Sequence, residues 1–194
     1  MFAAGTDTSS TTVVWAILEM MRNPTVLEKA QAEIRRAFRG KKKIHEKDVG
    51  NLSYLKWFGY TNSSLLISRE CTEPYEIDGY EIPVKTKVII NAWAIARDPA
   101  YWNLAESFMP ERFAGGSTDF RGTSFEFIPF GAGRRMCPGI SFGLANVELP
   151  LAQLLYHFDW ELPGRTKPED LDISETVGIV AARKKPLYLI ATAL

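Results

Sequence analysis

Apolar residues recur every three or four positions in three stretches of the chain, and each stretch predicts a helix. The first helix is expected over residues 2–21. The second is expected to begin at Pro24, with Asn23 as its N-cap, and to end before Gly40. The third is expected over residues 140–158. The apolar positions behind these predictions are Val13, Ile17, Met20 and Met21, then Leu27, Ala30, Ile34 and Phe38, and finally Leu144, Val147, Leu151, Leu154 and Leu155.

Shorter patterns between these helices predict β-strands. Residues 75–77 and 80–82 alternate in polarity on either side of Asp78 and Gly79, a dipeptide typical of the tight turn of a β-hairpin. We therefore expect an antiparallel hairpin here. The weaker patterns predict two more strands, at residues 88–91 and 187–190, and a short helix at residues 92–97.

The remaining stretches are irregular. Residues 52–56 have the composition of a helix start, but the aromatic, glycine and short polar residues at 57–64 favour turns. Prolines, glycines and scattered aromatic residues predict a long loop over residues 98–129, which needs a reason to be ordered. The chain is therefore predicted to be mainly α with small β-sheets, an α+β fold, and residues 1–194 are predicted to form a single domain without an internal boundary.

Composition limits the partners that the chain can have. The 194 residues are 46% hydrophobic and 24% charged, which suffices for one domain with a sizeable core. Lysine and arginine together number 23, as do aspartate and glutamate, so the charge gives no argument for nucleic acid or an anionic membrane as partner. Small apolar partners are favoured instead. No apolar run approaches the roughly 20 residues that span a bilayer, so we expect no membrane anchor within this chain.

The two cysteines of the chain have different surroundings in the sequence. Neither Cys71 nor Cys137 belongs to a Cys-x-x-Cys pair, which argues against a disulfide framework and against a zinc site. A lone cysteine is most often a small buried hydrophobe, and we keep that interpretation for Cys71. Cys137 instead follows a glycine-rich loop and precedes an apolar helix, whose N-terminal N–H groups would stabilise a thiolate. The sequence therefore favours Cys137 as a metal ligand.

The loop around Cys137 has a specific pattern. Three glycines, Gly131, Gly133 and Gly139, are expected to allow backbone angles and a close approach to a flat ligand that side chains would block. Pro138 suits the first turn of the helix that follows. The stretch reads Phe-Gly-Ala-Gly-Arg-Arg-Met-Cys-Pro-Gly and resembles the haem-binding loop of cytochrome P450 enzymes, Phe-x-x-Gly-x-Arg-x-Cys-x-Gly, at every fixed position. The resemblance implies haem b (iron protoporphyrin IX) with an axial thiolate from Cys137.

The same resemblance assigns roles to three further residues around the cofactor. Arg135 would pair with a haem propionate, and Phe130 would pack against the ring. Arg69 falls where the family places a basic residue near a propionate, although an ordinary surface arginine fits the sequence equally well. The cofactor-binding set implied by the family therefore extends from the loop to a residue far from it in sequence.

Residues at the start of the chain resemble the family's distal-helix motif. In Ala-Gly-Thr-Asp-Thr, at residues 4–8, Asp7 and Thr8 would relay protons to bound dioxygen from a distorted helix. Taken alone, such a pair is more often a helix cap or a solvated polar pair. Residues 110–113 resemble the family's Pro-Glu-Arg-Phe element, and residues 119–129 are similar to the lead-in of plant members that oxidise terpenoids and other secondary metabolites.

The resemblance implies a haem-thiolate monooxygenase of the plant microsomal branch, of which this chain is the C-terminal portion. Such an enzyme inserts one atom of dioxygen into a small apolar substrate, with electrons from NADPH through a reductase, at the cytosolic face of the endoplasmic reticulum. Without an anchor, the chain itself is expected to be cytosolic, or its location is unknown. Two alternatives stay open: a truncated, non-catalytic fragment that binds haem weakly or not at all, and a helical interaction module without haem chemistry. Substrate-lining residues would remain only near Ala4, 65–67 and 177–179.

One element of the family is missing from the sequence. A Glu-x-x-Arg pair on a helix before Arg69 would lock onto Arg112, but residues 56–68 contain neither glutamate nor arginine. The literal matches at 19–22 and 33–36 lie too early and are expected to face solvent. Removing the partners of a buried arginine costs about 3–5 kcal/mol. We therefore expect Arg112 to turn outward or the long loop to loosen.

Overall fold

The computed structural model describes residues 2–58, 66–115, 118–176, 178 and 180–194. Within them the chain is rich in helix and carries three two-stranded antiparallel sheets, which confirms the α+β prediction. The helices are α1 (Phe2–Arg22), α2 (Pro24–Ala37), α3 (Glu46–Val49), α4 (Ser53–Phe58), α5 (Ala92–Ile95) and α6 (Ile140–His157). The strands are β1 (Arg69–Glu70), β2 (Tyr75–Ile77), β3 (Tyr80–Ile82), β4 (Lys87–Val88), β5 (Phe158–Glu161) and β6 (Ile190–Ala193). Short 3₁₀ turns lie at Pro110–Phe113, Gly133–Arg135 and Pro168–Asp170.

The main core lies between α1, α2 and α6. The apolar stripes that predicted these helices face one another, and Ile34 and Leu151 have no accessible surface. Burial of such side chains stabilises by about 1.5–3 kcal/mol each, so the three long helices hold the rest of the chain. None of the helices among the described residues is long and apolar enough to cross a bilayer. The other buried members of this core are Ala16, Met20, Val26, Ala30, Phe38, Ile44, Val49, Leu52, Leu55, Val147, Ala152 and Leu155.

The junction of α1 and α2 differs from its prediction in one respect. The second helix begins at Pro24 as expected, but Asn23 does not cap it through its side chain. Instead, Asn23 Nδ2 donates to the carbonyl oxygen of Glu19, 2.8 Å away, at the end of α1. Proline has no N–H to satisfy, so the first turn of α2 needs the cap less than the open carbonyls of α1 need a donor. Asn23 is the N-cap residue by position, as predicted, but its side chain makes no capping hydrogen bond.

Glu33 determines where the short helix α4 begins. Its carboxylate accepts hydrogen bonds from the backbone N–H groups of Tyr54 and Leu55, at 3.0–3.2 Å, and thereby satisfies donors that a helix start leaves open. Glu33 therefore does not face solvent. Glu19 and Arg22 also form a partly buried ion pair, 3.1 Å from Oε1 to Nη1, so the prediction that both literal Glu-x-x-Arg matches face solvent is wrong. The turn predicted from residue 57 is wrong for 57–58, which belong to α4, and residues 59–64 lie outside the described residues.

The β-hairpin forms as its sequence predicts. Strands β2 and β3 pair antiparallel with Ile77 opposite Tyr80, and Asp78 and Gly79 both have positive φ, 52° and 81°. The other strands are displaced from their predicted positions. Strand β4 ends at Val88, where the predicted strand begins, and β6 covers 190–193 where 187–190 was expected, because pairing with β5 sets its register.

An aromatic cluster gives the long loop its order. Trp102 and Phe127 are buried in it, and the ring of Phe113 lies 4.8 Å from that of Phe127, centroid to centroid. Trp102 Nε1 also donates to the carbonyl of Glu126 at 3.2 Å, so the indole's polar group is satisfied. Phe130 and Leu144 pack against the same cluster, which connects the loop to α6.

Several large apolar side chains of the described residues are exposed. Their exposed fractions range from 38% at Val14 to 73% at Tyr80, and they occur on the hairpin, after β4 and on both sides of the residue 130–139 loop. They form an apolar component of the surface that the helical core does not cover. Prominent members are Tyr75, Tyr80, Ile89, Trp93, Phe125, Phe142 and Tyr188.

Candidate functional site

The loop that carries Cys137 is fixed by its own backbone. The N–H of Gly131 donates to the carbonyl of Ile128, that of Met136 to Gly133, and that of Cys137 to Phe130, at 2.9–3.1 Å. These three hydrogen bonds fold residues 128–137 into consecutive turns. Cys137 is exposed and has no disulfide partner. The loop therefore presents one free thiol from a fixed backbone.

Two of the three loop glycines need to be glycine. Gly131 and Gly133 have φ of 73° and 67°, a region that disfavours side chains, so the expected special angles are found there. Gly139 has φ of −101°, and for this residue the prediction of a special backbone angle is wrong. A Cβ built on Gly133 or Gly139 would meet no atom within 4 Å, so the surface beside the thiol is open.

Gly122 supports the loop from outside, and the sequence analysis missed it. Its φ is 78°, and an added Cβ would lie 3.0 Å from Ala132 Cα and 3.1 Å from both the Gly131 oxygen and Met136 Sδ. Only glycine lets the preceding segment approach so closely. The available signal was the position of a glycine within the lead-in to the cysteine loop, but the contact it makes depends on the folding of both segments.

Helix α6 begins just after the thiol. Its first residue is Ile140 and its N-cap is Gly139, so Pro138 precedes the helix and does not lie in its first turn as predicted. The 18 residues of α6 form a dipole whose positive end is at this terminus. Cys137 lies three positions before Ile140 in the chain.

Arg69 is brought to the loop by β1. Its Nη2 donates to the carbonyl oxygen of Arg135 at 2.9 Å, across 66 positions of sequence. Both residues are exposed, and Arg135 lies two positions before Cys137. Because each guanidinium has five N–H donors, one hydrogen bond to a carbonyl leaves donors for an anion.

Phe130 and Arg112 connect the loop to the aromatic cluster in different ways. The ring of Phe130 is half-buried and contacts Phe120 edge to face, 5.9 Å between centroids. Arg112 Nη2 donates to the carbonyls of Leu104 and Ser107, at 3.0 and 2.7 Å. Arg112 Nε donates to Met109, and its guanidinium lies 5.6 Å from the Trp102 ring.

Arg112 therefore neither turns outward nor loosens the loop, and that prediction is wrong. Backbone carbonyls and an indole ring replace the carboxylate that the sequence analysis looked for. The acceptors carry only partial charge, so burial lowers the pKa of Arg112, and the neighbouring charge of Arg97 lowers it further. Three acceptors nonetheless satisfy the guanidinium without an acid.

Asp7 and Thr8 lie on the first part of α1. The helix is continuous from Phe2 to Arg22, so the expected distortion is not found. Thr8 Oγ1 donates to the carbonyl of Ala4 at 2.6 Å, within the helix, and both side chains are exposed. A Cβ on Gly5 would lie 3.1 Å from Phe142 Cε1, so this part of α1 touches the first turn of α6, five residues after Cys137.

The residues around Cys137 fit a flat, metal-containing cofactor that carries negatively charged groups. They offer a free thiol on a fixed loop, an open surface beside two glycines, and two arginines that share one contact. Two clefts of the described surface lie along α3 and α6, beside His45, Glu46 and His157. Of the expected substrate-lining residues, Leu65, Val177 and Ile179 lie outside the described residues.

The chain is similar to known proteins over its whole length. The family model described as Cytochrome P450 matches residues 1–190. Premnaspirodiene oxygenase of Hyoscyamus muticus and 5-epiaristolochene 1,3-dihydroxylase of Nicotiana tabacum are each 61% identical over 198 residues, which cover 99% of this chain and 39% of theirs. A solved structure described as zebra fish cytochrome P450 with abiraterone has a TM-score of 0.85 at 28% identity, covering all of this chain and 46% of that one. The chain thus spans about two-fifths of the length of the curated relatives it matches.

Proposed function

Because the chain belongs to the cytochrome P450 family, we propose that it forms the thiolate side of a monooxygenase site, with Cys137 as the axial ligand of haem b. Membership of the family implies haem with a cysteine thiolate. The observation that supports Cys137 is the exposed thiol on a loop closed by the hydrogen bond from its own N–H to Phe130. Gly133 and Gly139 leave the adjacent surface open for the ring.

The residues of the loop would divide the work of holding the cofactor. Cys137, on the exposed loop three positions before α6, would provide the sulfur ligand. Arg135 and Arg69 would pair with the carboxylates of the cofactor, and Phe130 would pack against its ring from the aromatic cluster. The chemistry that bound haem supplies is activation of dioxygen.

Asp7 and Thr8 would serve as proton donors on the opposite side. Thr8 donates its hydroxyl proton to Ala4 in the helix, which leaves the Oγ1 lone pairs free to accept a hydrogen bond. Asp7 is exposed. Both residues lie on the first turns of α1, which touch α6 at Phe142, and from there they would supply protons to the reaction.

The substrate class proposed is a small apolar molecule of the terpenoid or another secondary-metabolite type. Support comes from the names of the plant relatives, a premnaspirodiene oxygenase and a 5-epiaristolochene dihydroxylase among them. The proposed electron source is NADPH through a reductase, at the cytosolic face of the endoplasmic reticulum, as in the plant microsomal branch. These activities belong to relatives of which the chain spans 39%, so they are proposed for a whole protein that contains these residues.

A second candidate is a non-catalytic fragment with weak or no haem binding. It is favoured by the segment between Phe58 and Arg69, whose sequence lacks the glutamate and arginine that the family uses to fix the loop.

A reduced, carbon-monoxide-treated absorption spectrum of the haem-reconstituted chain separates the two candidates. We expect a thiolate-type Soret band in the original chain and in Cys71→Ser, because Cys71 lies 66 positions before Cys137, outside the residue 130–139 loop. We expect Cys137→Ser to lose the band. A chain that takes up no haem, or a band that survives in Cys137→Ser, would contradict the proposed ligand.

A further inference from the structure

Glu111 joins the 3₁₀ turn Pro110–Phe113 to two helices of the core. Its Oε1 accepts a hydrogen bond from Tyr54 Oη of α4 at 3.0 Å. The same carboxylate forms an ion pair with Lys29 of α2. Pro110, the residue before it, is fully buried. The turn is therefore held by one carboxylate that two helices contact.

Tyr54 is itself held in place. Its backbone N–H and that of Leu55 donate to Glu33 of α2, and the Leu55 side chain is 1% exposed in the core. Burial raises the pKa of Tyr54, and its hydrogen bond to Glu111 raises it further, so the phenol stays a donor at physiological pH. The hydroxyl thus has a fixed position from which to orient Glu111.

The turn transmits this position to the cysteine loop through packed rings. Phe113 follows Glu111 by two residues, and its ring lies 4.8 Å from that of Phe127. Phe127 immediately precedes Ile128, whose carbonyl accepts the Gly131 N–H at the start of the loop. Phe130 packs on the same aromatic cluster, and its carbonyl accepts the N–H of Cys137. Because packed interiors transmit small displacements, a shift of Glu111 would reach the loop.

We propose that Lys29, Tyr54 and Glu111 form a positioning cluster that fixes the cysteine loop relative to the helical core. Residues 56–68 of this chain provide no Glu-x-x-Arg pair to fix the loop, and the cluster provides that support in its place. Tyr54 and Glu111 carry most of the effect, because the side chain of Lys29 is 59% exposed and water screens its charge. The proposal depends on the proposed function only where it treats the loop as a haem site. The contacts of the cluster themselves are present without haem.

Hydrogen–deuterium exchange of the haem-free chain tests the cluster. We expect Tyr54→Phe to speed exchange of the Cys137 and Gly131 amides about tenfold, because it removes a hydrogen bond to a charged acceptor and keeps the ring. The matched control is Tyr156→Phe, whose hydroxyl donates to Phe38 and Lys41 in the helical core. The control should leave both loop amides unchanged.

A purely structural role for Tyr54 would give a different result. It would speed exchange in α2 and α6 as much as in the loop, and that outcome would overturn the proposal, as would unchanged loop amides in a folded Tyr54→Phe. If Tyr54→Phe does not fold, Glu111→Gln decides. Its amide oxygen still accepts from Tyr54 but loses the charge, so a smaller acceleration confined to the loop is expected, and none would count against the cluster.

Haem reconstitution is measured separately. If the original chain takes up no haem, the proposed function fails while the exchange rates still decide the cluster. If it does take up haem, we expect Tyr54→Phe to lose a larger share of the thiolate-type Soret band than Tyr156→Phe. Equal losses in the two variants would contradict a positioning role.

Discussion

Glu148 is a carboxyl group on the buried face of α6. It is 8% exposed, in a stretch where Val147 and Leu151 belong to the core. Burial raises its pKa, and Lys56 on α4 offsets only part of this rise. The charged form is thus destabilised in the folded chain compared with the unfolded one. At neutral pH this single residue works against folding.

Glu148→Gln should therefore stabilise the chain at neutral pH, because it removes a buried charge and keeps the shape of the side chain. A raised carboxyl pKa costs stability above the folded pKa and costs nothing below the unfolded pKa of about 4.5. The gain should accordingly fade as the pH is lowered towards 4. Urea unfolding at a series of pH values measures it, with exposed Glu76→Gln as control. A gain that grows at low pH would contradict the raised pKa.

Gly133 and Gly139 lie in the same loop, and both leave room for a Cβ atom, but their backbone angles differ. Gly133→Ala should weaken the loop, because alanine at φ of 67° costs about 1–2 kcal/mol. Gly139→Ala, at φ of −101°, should be nearly neutral. The exchange rate of the Cys137 amide measures the loop, and equal rates in the two variants would show that φ is not what requires glycine.

At the level of elements, α4 depends on a residue of another helix. Glu33→Ala removes the acceptor for the N–H groups of Tyr54 and Leu55, and loss of such a cap costs about 0.5–2 kcal/mol. The control is Glu28→Ala, an exposed glutamate on the same helix. Urea unfolding should show a loss of stability for Glu33→Ala alone. Equal values for the two variants would contradict the capping role.

The sequence predicted well the elements that have a sustained apolar periodicity or a specific turn dipeptide. α1, α2 and α6 follow from apolar stripes, and the hairpin follows from Asp78 and Gly79, because both signals are local. β6 was misplaced by three residues, since its position is decided by pairing with β5. The Asn23 cap failed because two helix ends compete for one side chain.

At the scale of the whole molecule, the cysteine loop was the easiest part of the site to predict and its support the hardest. Fixed identities at fixed spacing identify residues 130–139. The acceptors of Arg112 are carbonyls, which every residue has, so no pattern of side chains reveals them. The link from Tyr54 to Glu111 joins segments 57 positions apart and depends on how α4 packs. Such contacts follow from the fold and not from a motif.

The apolar surface described above has a colloidal consequence. Acidic and basic side chains balance, and the isoelectric point is about 6.8, so neighbouring molecules near neutral pH have little long-range electrostatic repulsion. Exposed side chains such as Phe125 and Tyr80, at 71% and 73%, then attract one another when molecules meet. Salt cannot weaken a repulsion that is absent, whereas a buffer two pH units from 6.8 gives every molecule the same sign of charge. The solubility of this chain is therefore governed by pH more than by ionic strength.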